Sequence, residues 1–218
     1  MLLKTVGWSL YAALSIWMLW LSTRQGPPVS TLETVGFLSG LLWIWFLIKE
    51  NPLGWLASIV SSGAYVVFFY QGKLFGDAAL NALYVILAML GWYWWSRGLE
   101  YGKHLEIQKS HPLLLGILAV LAGIGTGALV PHFKSGGSNV PLPDAVLFCS
   151  ALAAQFLQAR KKIENWAFWI VVNAGYVAVY IYKGWFATAV LTAIYALMAI
   201  AGWRSWLVKM KQRAVATE

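Results

Sequence analysis

Two tryptophans three residues apart, then an asparagine four further on, stand in the run Glu164-Asn165-Trp166-Ala167-Phe168-Trp169-Ile170-Val171-Val172-Asn173. Steps of three and four residues keep side chains on one face of a helix. The neighbours are apolar enough to lie in a bilayer, where an amide must find a hydrogen-bonding partner or border a wet cavity. One polar group flanked by flat aromatic rings suits a small, polar, ring-containing solute. The chemistry on offer is recognition, at an aromatic binding site inside a membrane pore.

The composition requires such a setting. Of 218 residues, 60% are hydrophobic and 11% charged, with 14 tryptophans, whereas a soluble domain carries about a quarter charged residues. Several apolar runs reach about 17 to 22 residues, the length that crosses a hydrocarbon core of roughly 30 Å. The expected fold is an all-α integral membrane protein with eight transmembrane helices, near 7–22, 31–48, 53–71, 77–96, 112–130, 143–160, 164–182 and 186–206. Lys4 ahead of the first apolar run imitates a secretory leader. Bulky residues from Met18 to Leu21 run up to Ser22 without a small-residue cleavage site, so a retained first span is expected. The single cysteine, Cys149, lies within an apolar run; no intrachain disulfide is possible and nothing indicates an oxidising compartment.

Net charge is +8. In a soluble protein that would suggest nucleic acid, but here the basic residues sit between spans and read as orientation signals. Eight spans place Lys4, Lys49, Arg97, Lys103, Lys109, Arg160, Lys161, Lys162, Arg204, Lys209, Lys211 and Arg213 on one side. Only Arg24, Lys73, Lys134 and Lys183 fall on the other. Loops rich in Lys and Arg stay in the cytoplasm, so both termini are expected there, with no nucleic-acid partner. Asn173 is then about nine residues into the seventh span, roughly 13 Å at 1.5 Å per residue, near the middle of the bilayer. Trp166 lies close to the interface and Trp169 between the two depths.

An internal repeat organises these spans. A shift of 111 residues, without a gap, lays Trp55 on Trp166, Tyr65 on Tyr176, Phe75 on Phe186, Leu80 on Leu191 and Tyr84 on Tyr195. Gly91, Trp92 and Trp95 fall on Gly202, Trp203 and Trp206. The duplicated unit is three spans. Three spans reverse the chain's direction, so one linking span restores it and the repeats run parallel, with a site expected near midplane between them. The resulting organisation is an N-terminal extra helix (1–30), a first repeat (31–97), a linker with the fifth span (98–142), a second repeat (143–206) and a cytoplasmic tail (207–218). The repeats differ where an asymmetric solute would need them to. Trp55, Ser58 and Ser62 face Trp166, Trp169 and Asn173, and Ile44 and Leu47 face Gln155 and Gln158.

The 3+1+3 plan resembles the SWEET sugar transporters. The pattern Glu-Asn-Trp-x-x-Trp-x-x-x-Asn, preceded by Ala-Gln-x-x-x-Ala-Arg-Lys, resembles the PnuC family of bacterial vitamin transporters, as does Gly-Trp-Tyr-x-Trp from Gly91 to Trp95. The resemblance covers residues 31 to 206. It implies facilitated uptake of nicotinamide riboside, with thiamine carried by relatives, through an inner-membrane homotrimer, and it carries binding roles onto Trp166, Trp169 and Asn173. Nicotinamide riboside bears a pyridinium and thiamine a thiazolium. A desolvated cation over an indole face gains roughly 2 kcal/mol or more.

Each candidate has a plainer reading. Trp166 and Trp169 would also serve as interfacial belt residues, and Asn173 as a link between helices worth about 0.6 kcal/mol. Gln155 suits a carboxamide or ribose hydroxyl, while Gln158, near the cytoplasmic end, is expected to be solvated. Trp43, Trp45, Asn81, Tyr84, Tyr176 and Tyr195 are further candidates, and packing is the alternative for each. Trp8, Trp20, Trp92, Trp94, Trp95, Trp203 and Trp206 read as belt residues. Gly36-x-x-x-Gly40 and Gly123-x-x-x-Gly127 permit close helix contact. His104, His111 and His132 are assigned to loops, and Glu33, Glu50, Asp77 and Asp144 to span ends. With no carboxylate at mid-membrane and no phosphate-binding glycine loop, uniport without a cofactor is expected. An embedded enzyme would need a nucleophile–base pair or metal cluster at depth, which the sequence does not display. A sensor or assembly protein without transport remains the other class.

Overall fold

The computed structural model describes residues 16, 31–71, 75–97, 105–182 and 186–216. Among these, seven helices follow one another: α1 (Thr31–Ile48), α2 (Leu53–Gln71), α3 (Phe75–Arg97), α4 (Pro112–Ser135), α5 (Pro141–Ala159), α6 (Asn165–Tyr182) and α7 (Phe186–Ala216). The span expected at 7–22 lies outside the described residues apart from Ile16, and His104 lies outside them too. Helices α1 to α5 are long and apolar enough to cross a membrane. Helix α6 matches α1 in length at 18 residues, but Asn165, Asn173 and three tyrosines lower its hydropathy. Helix α7 continues past the expected end at 206 to Ala216.

Local chemistry sets the helix starts. Pro112 occupies the first turn of α4, and the His111 ring Nδ1 accepts a hydrogen bond from the Leu113 amide at 3.2 Å; this satisfies a donor that a helix N-terminus leaves unpaired. Before α5, Ser138 Oγ donates to Asp144 at 2.6 Å and accepts from the Val140 amide at 3.1 Å. His132, expected in a loop, lies in the last turn of α4 instead. That helix continues through Pro131.

Helices α1, α2 and α3 pack in series, as do α5, α6 and α7; α3 then packs on α5, and α1 on α7. A shift of 111 residues converts the first of those cross-contacts into the second. The correspondence reaches individual atoms. A Cβ on Gly91 would meet the Trp55 ring at 2.6 Å, and a Cβ on Gly202 would meet the Trp166 ring at 2.6 Å. Trp55 lies edge-on to Trp95 (centroids 5.5 Å, 83°) and Trp166 edge-on to Trp206 (5.2 Å, 87°). The turns repeat as well: Glu50 N donates to Leu47 O at 3.0 Å and Lys161 N to Gln158 O at 3.0 Å.

Trp95 and Trp206 are therefore core residues, which corrects their reading as belt residues. Both are buried. Their indole N–H groups donate to Ala159 O at 3.0 Å and Leu47 O at 3.2 Å. A ring with a satisfied N–H packs in the interior without the polar cost that draws tryptophan to an interface. Trp92 and Trp203 are exposed, as a belt position requires. Of the two glycine pairs, Gly36 and Gly40 make close contact, with the Tyr65 ring and with the Ser61 and Tyr195 hydroxyls. Gly123 and Gly127 face open space, on a helix with no buried residue.

Gly91→Ala and Gly202→Ala should each destabilise the fold by about 1–3 kcal/mol through overpacking against a buried indole. Gly123→Ala should leave it unchanged or slightly more stable, because nothing lies within 4 Å of the added methyl. Thermal unfolding in detergent checks the contrast.

Candidate functional site

Six helices converge on one cavity of about 180 Å³. Helix α1 contributes Gly40, Trp43 and Ile44, and α2 contributes Ser58, Ser61, Ser62 and Tyr65. Asn81 and Tyr84 come from α3, Gln155 and Gln158 from α5, Trp169 and Asn173 from α6, and Tyr195 from α7. Four pairs of positions 111 apart line it together: Ile44 with Gln155, Ser58 with Trp169, Ser62 with Asn173, and Tyr84 with Tyr195.

Seven residues singled out in the sequence thus come together here: Trp43, Asn81, Tyr84, Gln155, Trp169, Asn173 and Tyr195. Trp166 and Tyr176 do not. The Trp166 ring is fully buried against Gly202 and Trp206, and Tyr176 stacks on Tyr180 (centroids 5.7 Å, 16°). The front of the tryptophan–asparagine run is structural in this fold. Glu164 accepts from the Ser110 hydroxyl and amide at 2.7 and 3.0 Å, and Asn165 Nδ2 donates to Lys162 O at 2.6 Å. Only its second half, Trp169 and Asn173, reaches the cavity.

Trp169 is held from three directions. Trp43 meets it edge-on at 5.9 Å and 82°, and Tyr84 at 6.4 Å and 60°. Its Nε1–H donates to Gln158 Oε1 at 2.9 Å. Gln158 is therefore fully buried, contrary to the solvated position expected for it. Nearness to the helix end favours solvation, but the indole donor of Trp169 draws the amide inward. The serines of α2 were also underestimated. Ser58 and Ser62 align with Trp169 and Asn173 in the repeat, and together with Ser61 they line the same cavity. Ser61 Oγ donates to Gly36 O at 2.6 Å, so its hydroxyl hydrogen is committed within the protein.

The lining carries no charged residue. Its polarity comes from four amides, three serines, two indoles and three tyrosines. Asn81 Nδ2 is committed to Asp77 O at 2.9 Å, within its own helix. Gln155 Oε1, Gln158 Nε2 and Trp43 Nε1 are buried with no partner within the protein. Each such atom costs about 1–3 kcal/mol until it is met. One acceptor and two donors are thus in reserve among the residues lining the cavity, beside aromatic faces. Among the described residues, no group of three or more His, Cys, Asp or Glu side chains is placed to hold a metal ion.

Residues 30–208 match the family model described as nicotinamide mononucleotide transporter. The chain belongs to that family. It is 29% identical over 175 residues to the riboflavin/roseoflavin transporter RibM of Streptomyces davaonensis, covering 78% of this chain and 77% of that one. It is 29% identical over 178 residues to the nicotinamide riboside transporter PnuC of Neisseria mucosa, covering 77% and 67%. With the Escherichia coli nicotinamide riboside transporter PnuC it shares 25% over 214 residues, covering 86% and 90%. The fold matches the crystal structure of the vitamin B3 transporter PnuC with a TM-score of 0.72, at 22% identity, over 95% of this chain and 90% of that one. The family resemblance carried by the tryptophan–asparagine run holds.

Gln158→Leu removes the acceptor that orients the Trp169 indole. A buried donor left without its acceptor costs about 1–3 kcal/mol, so the melting temperature should fall by a few degrees and solute affinity several-fold. Titration calorimetry beside thermal unfolding reads both quantities.

Proposed function

We propose that this protein is a carrier of the bacterial cytoplasmic membrane that takes up nicotinamide riboside. The observation that supports this reading best is the uncharged, aromatic and amide-lined cavity between positions 111 residues apart, with Trp169 and Asn173 on its wall. A pyridinium has no carboxylate to pair with there; it would be held by indole and phenol faces, each desolvated contact contributing roughly 2 kcal/mol. The unmet acceptor of Gln155 and the donor of Gln158 suit a carboxamide or ribose hydroxyls. In this reading Trp169, Asn173, Gln155, Trp43, Tyr84, Asn81 and Tyr195 contact the solute. Trp166 and Tyr176 act from behind them, through packing.

The carrier works by alternating access. Two three-helix units, residues 31–97 and 143–206, rock about the cavity, joined by the linker that holds α4 and preceded by an extra N-terminal span. Transport is uniport, because the lining offers no carboxylate, histidine, lysine or arginine to carry a coupling proton or ion, and cytoplasmic phosphorylation of the solute keeps the gradient inward. Both termini are cytoplasmic, by the distribution of lysine and arginine. The family resemblance suggests a homotrimer, and α4, with no residue buried within its own chain, presents an apolar surface to lipid or a neighbouring copy.

A second reading has specific support: the relationship to a flavin transporter is as strong in identity as that to the riboside transporters. Riboflavin, or thiamine with its thiazolium, would use the same aromatic walls.

Asn173→Leu and Trp169→Ala should abolish entry of labelled nicotinamide riboside into proteoliposomes while the protein remains folded. Trp166→Ala should instead lower the melting temperature, by the several kcal/mol typical of emptying a buried tryptophan site, roughly 3–5. A thermal-shift panel of nicotinamide riboside, thiamine, riboflavin and simple sugars decides the solute. Wild-type uptake by Asn173→Leu would exclude the site assignment.

A further inference from the structure

Glu50 and Lys161 are 111 residues apart and occupy the same place in the α1–α2 and α5–α6 turns. Both have left-handed backbones, with φ of 59° and 50°, which few non-glycine residues adopt. The duplication has brought these two equivalent positions face to face with opposite charge. Lys161 Nζ lies 3.3 Å from the Glu50 carboxylate and 4.5 Å from the centroid of the Trp95 ring. The same carboxylate receives Lys209 Nζ at 3.0 Å and Arg213 Nη2 at 3.2 Å, both from α7. Lys209 also donates to Ile48 O at 3.3 Å. Around this cluster, Trp95 and Trp206 exchange indole N–H bonds with the last turns of α5 and α1. Every one of these contacts joins residues 31–97 to residues 143–216.

We infer that Glu50 is the latch of the cytoplasmic gate: solute leaves the cavity inward only when its carboxylate parts from Lys161, Lys209 and Arg213. The inference rests on the carrier reading above and adds to it the group that must separate. The kinds of contact carry the argument. Within each set of three helices, packing is indole on glycine, fully buried and dry. Between the sets the contact is buried and apolar where Trp95 meets Trp206 (centroids 6.1 Å), and ionic and hydrogen-bonded at its rim, where the Arg213 side chain is 46% exposed. Water solvates the charges of that rim as they part, so its ionic contacts open and re-form more readily than the indole-on-glycine packing within each set. Burial opposes ionisation of Glu50, but Lys161, Lys209 and Arg213 outweigh it and hold the carboxyl below its ordinary value. Lys161 is lowered by burial even against the pull of Glu50, because Arg213 and Lys209 crowd the carboxylate it shares. One carboxylate thus meets three cations at this joint.

The test uses full-length protein in proteoliposomes with Cys149 replaced by alanine. In Glu50→Cys/Lys161→Cys, a short bis-methanethiosulfonate should join the two turns. Cross-linking should cut uptake of labelled nicotinamide riboside by about tenfold or more, as expected when one of two exchanging states is removed, and dithiothreitol should restore it. Uptake undiminished by a cross-link seen complete on a gel overturns the latch and makes this joint a fixed pivot. A second arm needs no cross-link. Ala159→Cys, at a position fully buried beside Trp95, should react with a cytoplasmic maleimide several-fold faster when Glu50→Gln is added; an unchanged rate overturns the latch as well. Failure of the parent protein to take up any vitamin in the panel would sink the carrier reading itself, a separate result from either of these.

Discussion

A tryptophan ring pressed flat onto a glycine backbone is the contact on which this fold depends. It occurs twice, as Trp55 on Gly91 and Trp166 on Gly202. Only the absence of a Cβ lets the neighbouring helix come so near, and each ring is then fully buried. The close approach sets the spacing of α2 against α3 and of α6 against α7. It also fixes where Trp95 and Trp206 fall, edge-on to those rings, so that their N–H groups reach carbonyls at the far ends of α5 and α1. A packing choice within three helices thus becomes a joint between two sets of three. The cavity exists because that joint is tight at one end while small side chains, Gly40 and the α2 serines, leave room beside it.

Much of this was legible in the residues themselves. Hydrophobic runs put α1 and α2 at their observed limits, because Pro52 and the adjoining charged or polar residues leave little choice of boundary. The repeat alignment paired Trp55 with Trp166 and Gly91 with Gly202, and the structure puts each member of one pair against the corresponding member of the other. What periodicity could not tell was which tryptophans face lipid. Trp92 and Trp95 are three residues apart near one helix end, and hydropathy treats them alike; a carbonyl on a distant helix, Ala159 O, decides that Trp95 turns inward. Trp166 was misplaced in the same way. Its spacing from Trp169 and Asn173 suited a shared face, but Gly202, thirty-six positions on, offered a fitted slot.

Duplication also explains why the site is lopsided. A cavity between two equivalent units begins with matched walls, and Tyr84 with Tyr195 still shows that state. The solute contemplated here has a charged ring at one end and hydroxyls at the other, so matched walls would satisfy only half of it. Divergence at Ser58/Trp169, Ser62/Asn173 and Ile44/Gln155 sets two serines and an aliphatic side chain of one unit against an indole and two amides of the other, beside aromatic residues from both. Glu50 and Lys161 have diverged by the same logic. Two like residues facing each other at the joint would gain nothing from proximity, whereas opposite charges hold it.

The most telling divergence involves two residues at once. Where the first unit has Leu47 and Ser58, the second has Gln158 and Trp169, and these are hydrogen-bonded to each other. An indole N–H deep among helices cannot turn to bulk water, so placing Trp169 on the wall creates a demand for an acceptor. Leucine at the position of Gln158 would leave that demand unmet, and glutamine without the indole would bury an amide oxygen to no purpose. The two changes make physical sense only together. Gln158 spends its oxygen on Trp169 and leaves its Nε2 buried without a protein partner. The bond that orients the aromatic wall therefore also fixes which end of the amide stays uncommitted, and a solute approaching that amide has to bring an acceptor.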